Sequence, residues 1–215
     1  MQRVLIKPII QETVVILANG DYPTHPIPVQ KIIKASCIIC CDGAVNNLIE
    51  YGMEPDVVIG DLDSINQSLK TKFDDKTIHL PDQDANDLQK AIRWAEGKGI
   101  KEADILGATG KRDDHSLANI FILLQFPTSL KCTLITDHGC FSTVEGTAEF
   151  QSFTGQQVSL FSADPGIEVT SLNLKYDLIS TKISNLYYGS LNESNSEEFT
   201  LSISHGKILA YQVFA

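Results

Sequence analysis

The sequence has no excess of basic charge and no long apolar run. Its 17 lysine and arginine residues face 27 aspartate and glutamate residues, giving a formal net charge of −10. That balance argues against nucleic acid or an anionic membrane as a partner. No segment approaches the length of a membrane-spanning helix. The N-terminal apolar stretch is broken by Lys7, Pro8, Gln11 and Glu12, which is not typical of a signal peptide. We therefore expect a cytoplasmic protein.

The sequence also lacks the cysteine pattern of a disulfide framework. Its 5 cysteines are odd in number and lie mostly within strand-like runs, which fits reduced thiols. Cys37 and Cys40 have the spacing of half a zinc site. Cys132 and Cys140 are too far apart to supply the matching pair. Buried strand cysteines are the favoured interpretation.

The remaining composition is that of a globular protein, with 43% hydrophobic and 20% charged residues. Up to about residue 137, short apolar runs alternate with helix-compatible stretches, a pattern typical of a doubly wound, mostly parallel α/β sheet. From about residue 145, apolar and polar residues alternate between turn residues, which indicates an antiparallel β-sandwich or barrel. We predict an α/β domain at 1–140 and a β domain at 141–215, joined by a short connection near 138–146. Residues 174–179 are predicted as a strand and 190–198 as an exposed loop.

Acidic residues close four of the N-terminal apolar runs. The carboxyl ends of parallel strands share one edge of a sheet, where ligands bind. Carboxylates gathered at such an edge repel one another unless a cation neutralises them, and Mg²⁺ bound to phosphate oxygens is the usual reason for such a site. The chain is therefore expected to handle phosphate. The acidic residues at these strand ends are Asp42, Asp61, Asp63, Asp82, Asp84, Asp113 and Asp114.

A purely structural role is the alternative for some of these residues. Aspartate and serine at strand-to-helix junctions are good helix N-caps, and Asp42, Ser64 and Asp114 could each cap the helix that follows. One N-cap, however, needs only one acceptor. Asp61 and Asp63 are two residues apart, so the surplus of carboxylates favours a metal. Gly60 is expected to allow a sharp turn before them.

A glycine-rich turn at 107–112 follows a strand and precedes a helix. Its backbone amides could hold phosphate, and Arg112 could bind phosphate oxygens with two hydrogen bonds. The alternative for Arg112 is an ion pair with Asp113 or Asp114. The turn lacks the Gly-Lys-Ser/Thr ending of a Walker loop, and no GxSxG motif occurs, so a P-loop ATPase and a serine hydrolase are excluded.

Together, four motifs resemble thiamine pyrophosphokinase in order and spacing: CCDGAVNNL, PDVVIGDLDSI, PDQDANDLQKAI and GATGKRDDHSLANI. Two downstream segments, VTSLNLKYDL and TKISN, look like the thiamine-binding β domain of that family. The resemblance covers nearly the whole chain. It implies Mg²⁺-dependent transfer of a pyrophosphoryl group from ATP to the hydroxyl of thiamine, giving thiamine diphosphate and AMP. It also implies a homodimer with sites at the subunit interface.

The resemblance carries over to individual residues. The implied metal ligands are Asp61, Asp63 and Asp84. The implied catalytic residues are Asp63, Asp84, Asp87, Arg112 and Asp114. The implied ATP contacts are Asp42, Ser64, Gly107, Thr109, Gly110 and Arg112. The implied thiamine contacts are Tyr176, Ser184 and Asn185, with Tyr187 or Tyr188 as alternatives to Tyr176, which would then be a core residue.

The chain departs from the family pattern at several positions. Lys111 and Asn173 stand where glycine is common, Asn86 where threonine is common, Asp113 where an apolar residue is usual, and Tyr176 where tryptophan is frequent. These departures bear on affinity more than on reaction class. Two rival functions are a Mg²⁺-dependent nucleotide phosphohydrolase and a non-catalytic thiamine or nucleotide sensor. A sensor would be expected to lose the metal carboxylates, which are present here.

Overall fold

The computed structural model describes residues 13–82, 84–186 and 188–215. The sequence interpretation of the N-terminal stretch therefore lies mostly outside the described residues. In the part of the chain that is described, no helix is both long and apolar enough to cross a membrane.

The N-terminal half is an open parallel sheet of six strands in the order β6-β5-β1-β2-β3-β4. The strands are β1 (Val14–Leu17), β2 (Cys37–Cys41), β3 (Val57–Gly60), β4 (Thr77–His79), β5 (Glu102–Leu106) and β6 (Lys131–Ile135). The helices are α1 (Pro26–Lys34), α2 (Ala44–Glu50), α3 (Gln67–Lys72), α4 (Asp87–Gly97) and α5 (Asp113–Gln125). A short 3₁₀ turn (Asp74–Lys76) precedes β4.

The helices cover both faces of this sheet. The strand β1 is buried along its whole length because alternate side chains enter two different cores. Val14 and Ile16 pack into the core shared with α4 and α5, whereas Val15 and Leu17 pack into the core shared with α1 and α2. The predicted doubly wound sheet is confirmed.

The C-terminal half continues the same sheet with antiparallel strands, in the order β12-β9-β14-β7 next to β6. These are β7 (Gly139–Val144), β9 (Gln157–Phe161), β12 (Gly189–Glu193) and β14 (Ile208–Val213). A second sheet has the order β11-β10-β13-β8. Its strands are β8 (Thr147–Gln151), β10 (Glu168–Leu172), β11 (Thr181–Lys182) and β13 (Glu198–Ile203).

The two antiparallel layers enclose a third core, in which Phe199 from one sheet and Leu160 from the other are fully buried. This is the expected antiparallel sandwich. The large sheet runs without a break from the parallel strands into the antiparallel ones, and the division at 140/141 stays a prediction.

Three local predictions are wrong. Most of the connection at 138–146 is strand β7, and residues 190–193 of the predicted exposed loop belong to β12. Residues 174–179 are not a strand, apart from one bridge at Leu174. The reason is that side chains, rather than a neighbouring strand, form hydrogen bonds with the backbone of these residues. The Asn192 amide accepts from Tyr176 N (3.0 Å) and donates to Tyr176 O (2.9 Å). Ser171 Oγ accepts from Leu178 N (2.9 Å).

Candidate active site

The acidic residues gather at one edge of the parallel sheet because they follow the carboxyl ends of β2, β3 and β4 and the loop after β5. The tightest group consists of Asp42, Asp61 and Asp63, each of which offers a carboxylate oxygen within 4.8 Å of the other two. Oxygens on opposite sides of a Mg²⁺ ion are about 4.2 Å apart, so this spacing is close to that of one shared ion.

Asp42 is the buried member of this group, with 3% of its surface exposed. Its Oδ2 accepts a hydrogen bond from Ser64 N at 3.1 Å. Its Oδ1 is buried and has no hydrogen-bond partner among the described residues. An unpaired buried carboxylate oxygen is costly, and a hard cation would satisfy it. The donor set therefore fits Mg²⁺.

The electrostatics of the edge show the expected repulsion. Burial raises the pKa of Asp42, and the neighbouring charges of Asp87 and Asp61 raise it further, against the lowering effect of the Ser64 hydrogen bonds. Burial likewise raises the pKa of Asp87, with contributions from Asp61 and Asp63, while the hydrogen bond from Lys90 lowers it. These carboxylates are close enough to disfavour one another's charge.

Gly60 provides the space in which two of these carboxylates meet. A Cβ atom at this position would lie 2.8 Å from Asp42 Cβ and 3.2 Å from Asp87 Cγ. The expected turn is wrong, because Gly60 is the last residue of β3 and is not among the residues with positive φ. The strained backbone lies instead at Asp42 (φ 38°) and Leu62 (φ 68°), the latter between Asp61 and Asp63.

The helix-cap alternative fails at three positions. The N-cap residues of α2, α3 and α5 are Gly43, Asn66 and Arg112, rather than Asp42, Ser64 and Asp114. The carboxylates are thus available for other partners. Ser64 Oγ donates to Asp63 Oδ1 at 2.8 Å, which links the serine to the acidic group.

Asp84 lies outside the group of three. It is exposed, and its N–H donates to Asp82 Oδ1 at 2.9 Å. It precedes Asn86, which caps α4 through a reciprocal pair of hydrogen bonds with Gln89. The structure thus brings Asp42, rather than Asp84, next to Asp61 and Asp63.

Two residues that the sequence interpretation missed support this edge. Asn46 of α2 donates to Ser64 O (2.9 Å) and accepts from Asn66 N (3.2 Å), which fixes the loop after β3. Lys90 of α4 is 6% exposed and contacts Asp87 at 3.1 Å. The three-residue spacing of Asp87 and Lys90 on one helix was a signal for this pair. No local signal identified Asn46.

The glycine-rich turn has a left-handed backbone at three positions. Gly107 (φ 61°), Gly110 (φ 83°) and Lys111 (φ 55°) all lie in the left-handed region. That conformation explains why glycine suits position 111. Here Lys111 Nζ donates to both the backbone and side-chain oxygens of Asn19, each at 3.1 Å, and so joins this turn to the loop after β1.

A pocket of about 300 Å³ lies between this turn and the loops after β1 and β6. It lies at the point where the strand order reverses, because β1 pairs with both β2 and β5. Thr109 and the two glycines of the turn line one side. Asp21, Tyr22 and Asp137 line the other, and the sequence interpretation did not select them. Asp137 holds this wall by accepting hydrogen bonds from Thr24 and His25.

Arg112 forms the ion pair named as its alternative. Its Nε and Nη2 donate to the two carboxylate oxygens of Asp114 at 3.0 and 2.6 Å. The guanidinium holds the pKa of Asp114 down to about 2. Both side chains are exposed, so the ion pair contributes little to folding stability. Replacing Asp114 with a phosphate group as the partner of Arg112 would therefore cost little free energy.

The candidate thiamine residues lie in the C-terminal half. Tyr176 and Tyr188 are both 59% exposed, so Tyr176 is not a core residue, and Tyr187 lies outside the described residues. Ser184 and Asn185 line a pocket of about 580 Å³ together with Phe121 and Gln125 of α5. That pocket lies beside the C-terminal half of the helix whose first turn carries Asp114.

The structure combines a doubly wound sheet that has acidic strand ends, a glycine-rich turn at the strand-order reversal and an attached β-sandwich. This combination is typical of an enzyme that handles phosphate. Comparison with family models gives two matches. Residues 29–135 match "Thiamin pyrophosphokinase, catalytic domain" and residues 139–211 match "Thiamin pyrophosphokinase, substrate-binding domain". The chain belongs to the thiamin pyrophosphokinase family, and both the predicted family and its enzymatic function are confirmed.

Individual relatives agree. The chain is 27% identical to thiamin pyrophosphokinase 1 of Caenorhabditis elegans over 79% of this chain and 74% of the relative. It is 26% identical to thiamine pyrophosphokinase 1 of rice, Oryza sativa subsp. japonica, over 84% and 79%. In fold, it resembles the crystal structure of thiamine pyrophosphokinase from Bacillus subtilis, with a TM-score of 0.79, 22% identity and coverage of 94% and 98%.

We predict that Gly60→Ala weakens metal binding and catalysis, because the new methyl group pushes Asp42 and Asp87 apart. Overpacking of this kind costs about 1–3 kcal/mol of folding stability. Gly97→Ala is the matched control, since a Cβ there meets no atom within 4 Å. It should stabilise α4 by up to about 1 kcal/mol and leave metal binding unchanged. Calorimetric Mg²⁺ titration and thermal unfolding measure both effects. Equal metal affinity in the two variants contradicts the packing account.

Proposed function

We propose that this protein transfers the pyrophosphoryl group of ATP to the hydroxyl oxygen of thiamine, giving thiamine diphosphate and AMP. The observation that carries the proposal is the group of Asp42, Asp61 and Asp63, which lies at the same sheet edge as the glycine-rich turn. The buried Oδ1 atom of Asp42 has no hydrogen-bond partner within the described part of the chain. A family match in both halves of the chain supports the pairing of a phosphate site with a thiamine site.

Asp42, Asp61 and Asp63 would hold Mg²⁺. Asp84, the third ligand predicted from the sequence, remains a further proposed ligand. Bound there, the ion would neutralise phosphate oxygens and stabilise charge that develops during transfer.

The chain's own residues would orient the reactants. Gly107, Thr109 and Gly110 line the pocket at the strand-order reversal, and their backbone amides would suit phosphate oxygens. Arg112 would exchange Asp114 for a phosphate group, which places a bidentate cation beside the transferred group. Asp42 and Ser64 would complete the ATP contacts, and Asp87 and Asp114 would shape the site around it. Such positioning is most of what phosphoryl transfer requires from a protein.

Thiamine would bind against the C-terminal half. An exposed tyrosine ring suits a flat ligand that carries a thiazolium cation, and Tyr176 is 59% exposed. Lys175 Nζ lies 5.9 Å from the ring centroid, so the ring already attracts one cation. Ser184 and Asn185 offer hydrogen-bonding groups on the wall of the adjoining pocket.

We infer a homodimer with composite sites, and the distance between the two halves of the site supports this inference. Phe121 and Gln125, which share a pocket with Ser184 and Asn185, lie 7 and 11 residues beyond Asp114 on α5. Those separations correspond to about 10 and 16 Å along the helix. Strand β7 ties the β-sandwich into the large sheet, so it cannot fold back over its own acidic edge.

An apolar surface beside this helix supports the dimer. A groove of about 370 Å³ is lined almost wholly by apolar side chains, and its rim includes Leu117 and Leu186, which are 56% and 45% exposed. An exposed apolar patch of this kind is typical of a surface that another protein copy covers.

The direct test is product identity. The protein is incubated with thiamine, ATP and Mg²⁺, and the products are resolved by mass. The proposal predicts AMP and thiamine diphosphate in equal amounts. Free phosphate that accumulates without thiamine would indicate the nucleotide phosphohydrolase, and binding without turnover would indicate the sensor. No feature of the described residues favours either rival, and the cytoplasmic location remains a prediction.

Asp63→Asn should abolish turnover while the fold is retained. Loss of one ligand charge weakens the ion that stabilises the transition state, and a single electrostatic contributor of this type is worth about 3–4 kcal/mol, or roughly 10²–10³ in kcat. Circular dichroism checks the fold, and kcat is measured at saturating Mg²⁺. A folded variant with near-normal kcat would rule out Asp63 as a metal ligand.

Tyr176→Ala should raise the thiamine KM strongly and the ATP KM little. The lost cation–π contact is worth about 0.5–2 kcal/mol, or roughly 2- to 30-fold in KM. Tyr188→Ala serves as the matched control because the two tyrosines are equally exposed. If Tyr188→Ala alone affects the thiamine KM, the stacking residue is Tyr188.

Composite sites predict complementation between defective chains. An Asp63→Asn chain is mixed with a Tyr176→Ala chain under conditions of subunit exchange. Each heterodimer then has one site that pairs an intact Asp63 with an intact Tyr176. At a thiamine concentration low enough for the Tyr176→Ala homodimer to be inactive, full random exchange therefore restores roughly a quarter of wild-type activity. Proven exchange without recovery of activity would locate each whole site within one chain.

A further inference from the structure

Lys90 is an unusual residue in this protein because its charge is buried. Within residues 13–82, 84–186 and 188–215, the buried side chains that carry a charge are Asp42, at 3% exposure, and Lys90, at 6%. Burial of an ammonium group is strongly unfavourable unless it is paired and hydrogen-bonded. Both buried charges, of opposite sign, belong to the acidic edge of the sheet.

The partner of Lys90 is Asp87, one turn earlier on α4. Lys90 Nζ lies 3.1 Å from Asp87 Oδ1, and Asp87 is itself only 28% exposed. The same oxygen lies 3.2 Å from the position of a Cβ on Gly60, and Asp42 Cβ lies 2.8 Å from that position. Lys90 therefore fixes the Asp87 carboxylate next to the space that Gly60 leaves beside Asp42.

This arrangement places the ammonium group of Lys90 next to the acidic group. Asp42, Asp61 and Asp63 supply three carboxylates within 4.8 Å of one another, and Asp87 adds a fourth nearby. Without a metal ion these charges repel, and a buried ammonium offsets one of them.

We propose that Lys90 is a positioning residue that fixes Asp87 beside the metal site and offsets the negative charge of Asp87. Asp87 then orients the reactants without adding to the negative charge around the metal ion. The kinetic part of this proposal rests on the proposed pyrophosphoryl transfer. The metal-binding part does not, because it concerns the protein alone.

The test measures Mn²⁺ binding by calorimetry on the folded protein without nucleotide or thiamine. Asp87→Asn leaves the Lys90 cation unpaired beside the site and should weaken Mn²⁺ binding by about tenfold. Adding Lys90→Met to Asp87→Asn removes both charges and should restore most of the wild-type affinity. Lys90→Met alone should leave Mn²⁺ binding equal or tighter. Lys101→Met, on an exposed side chain, is the matched control and should change nothing.

Steady-state kinetics separate positioning from charge. Lys90→Met should lower kcat by about tenfold or more with little change in the ATP KM, because Asp87 loses its support. In the Asp87→Asn background the same substitution should change kcat by less than about twofold, because Lys90 acts through Asp87. The double variant thus regains metal binding but not turnover.

Three results would overturn the proposal. They are weaker Mn²⁺ binding in folded Lys90→Met, no recovery of Mn²⁺ affinity in the double variant, or losses of kcat in the two single variants that simply add in the double variant. If Lys90→Met does not fold, Lys90→Gln carries the Mn²⁺-binding test, because it also removes the charge. Its amide keeps a donor for Asp87, so its kcat should fall by less than that expected for Lys90→Met. If the wild-type protein does not convert thiamine, the proposed function is contradicted, and the conclusion from Mn²⁺ binding is unaffected.

Discussion

Mutual repulsion between carboxylates at the edge of the parallel sheet is the constraint on which the rest of the site depends. Carboxylate oxygens of Asp42, Asp61 and Asp63 lie within 4.8 Å of one another, and Asp42 Oδ1 is buried with no hydrogen-bond partner among the residues that the structure describes. Without a bound cation, such a group of carboxylates is unfavourable. It is explained if a divalent cation completes it, because the ion then converts the repulsion into binding free energy.

The surrounding structure holds the carboxylates in this position. The parallel strands β2 and β3 bring their ends to one edge, Gly60 leaves room where Asp42 and Asp87 approach, and Asn46 fixes the loop after β3. Positive φ angles at Asp42 and Leu62 store backbone strain that the well-packed sheet can support. Stability is thus given up locally at the site for which we propose binding of a metal ion and phosphate.

Local sequence patterns were enough to predict much of this arrangement. The apolar runs of β1 to β6 and the helical spacing of α4 are short-range signals, and the acidic residues followed from strand ends in a parallel sheet. Strand β7 pairs with its sequence neighbour β6 and with β14, and the second pairing joins residues about 70 positions apart, at 139–144 and 208–213, for which no local signal exists. The structure of 174–179 depends on the Asn192 side chain, which no local pattern reveals. The partnership of Asp42 with Asp61 and Asp63, in place of Asp84, depends on how closely the backbones approach at Gly60.

The most direct test of the central claim is the thermal stability of the metal-free protein as a function of pH, with and without Mg²⁺. Because folding raises the pKa of Asp42 and Asp87 above the ordinary 3.8, the stability of the metal-free protein should fall as the pH rises through those raised values. Mg²⁺ should raise the melting temperature at neutral pH, and its effect should fade as the carboxylates become protonated. In Asp42→Asn the Mg²⁺ effect should disappear. A melting temperature that does not respond to Mg²⁺, or the same response in Asp42→Asn, would contradict the account.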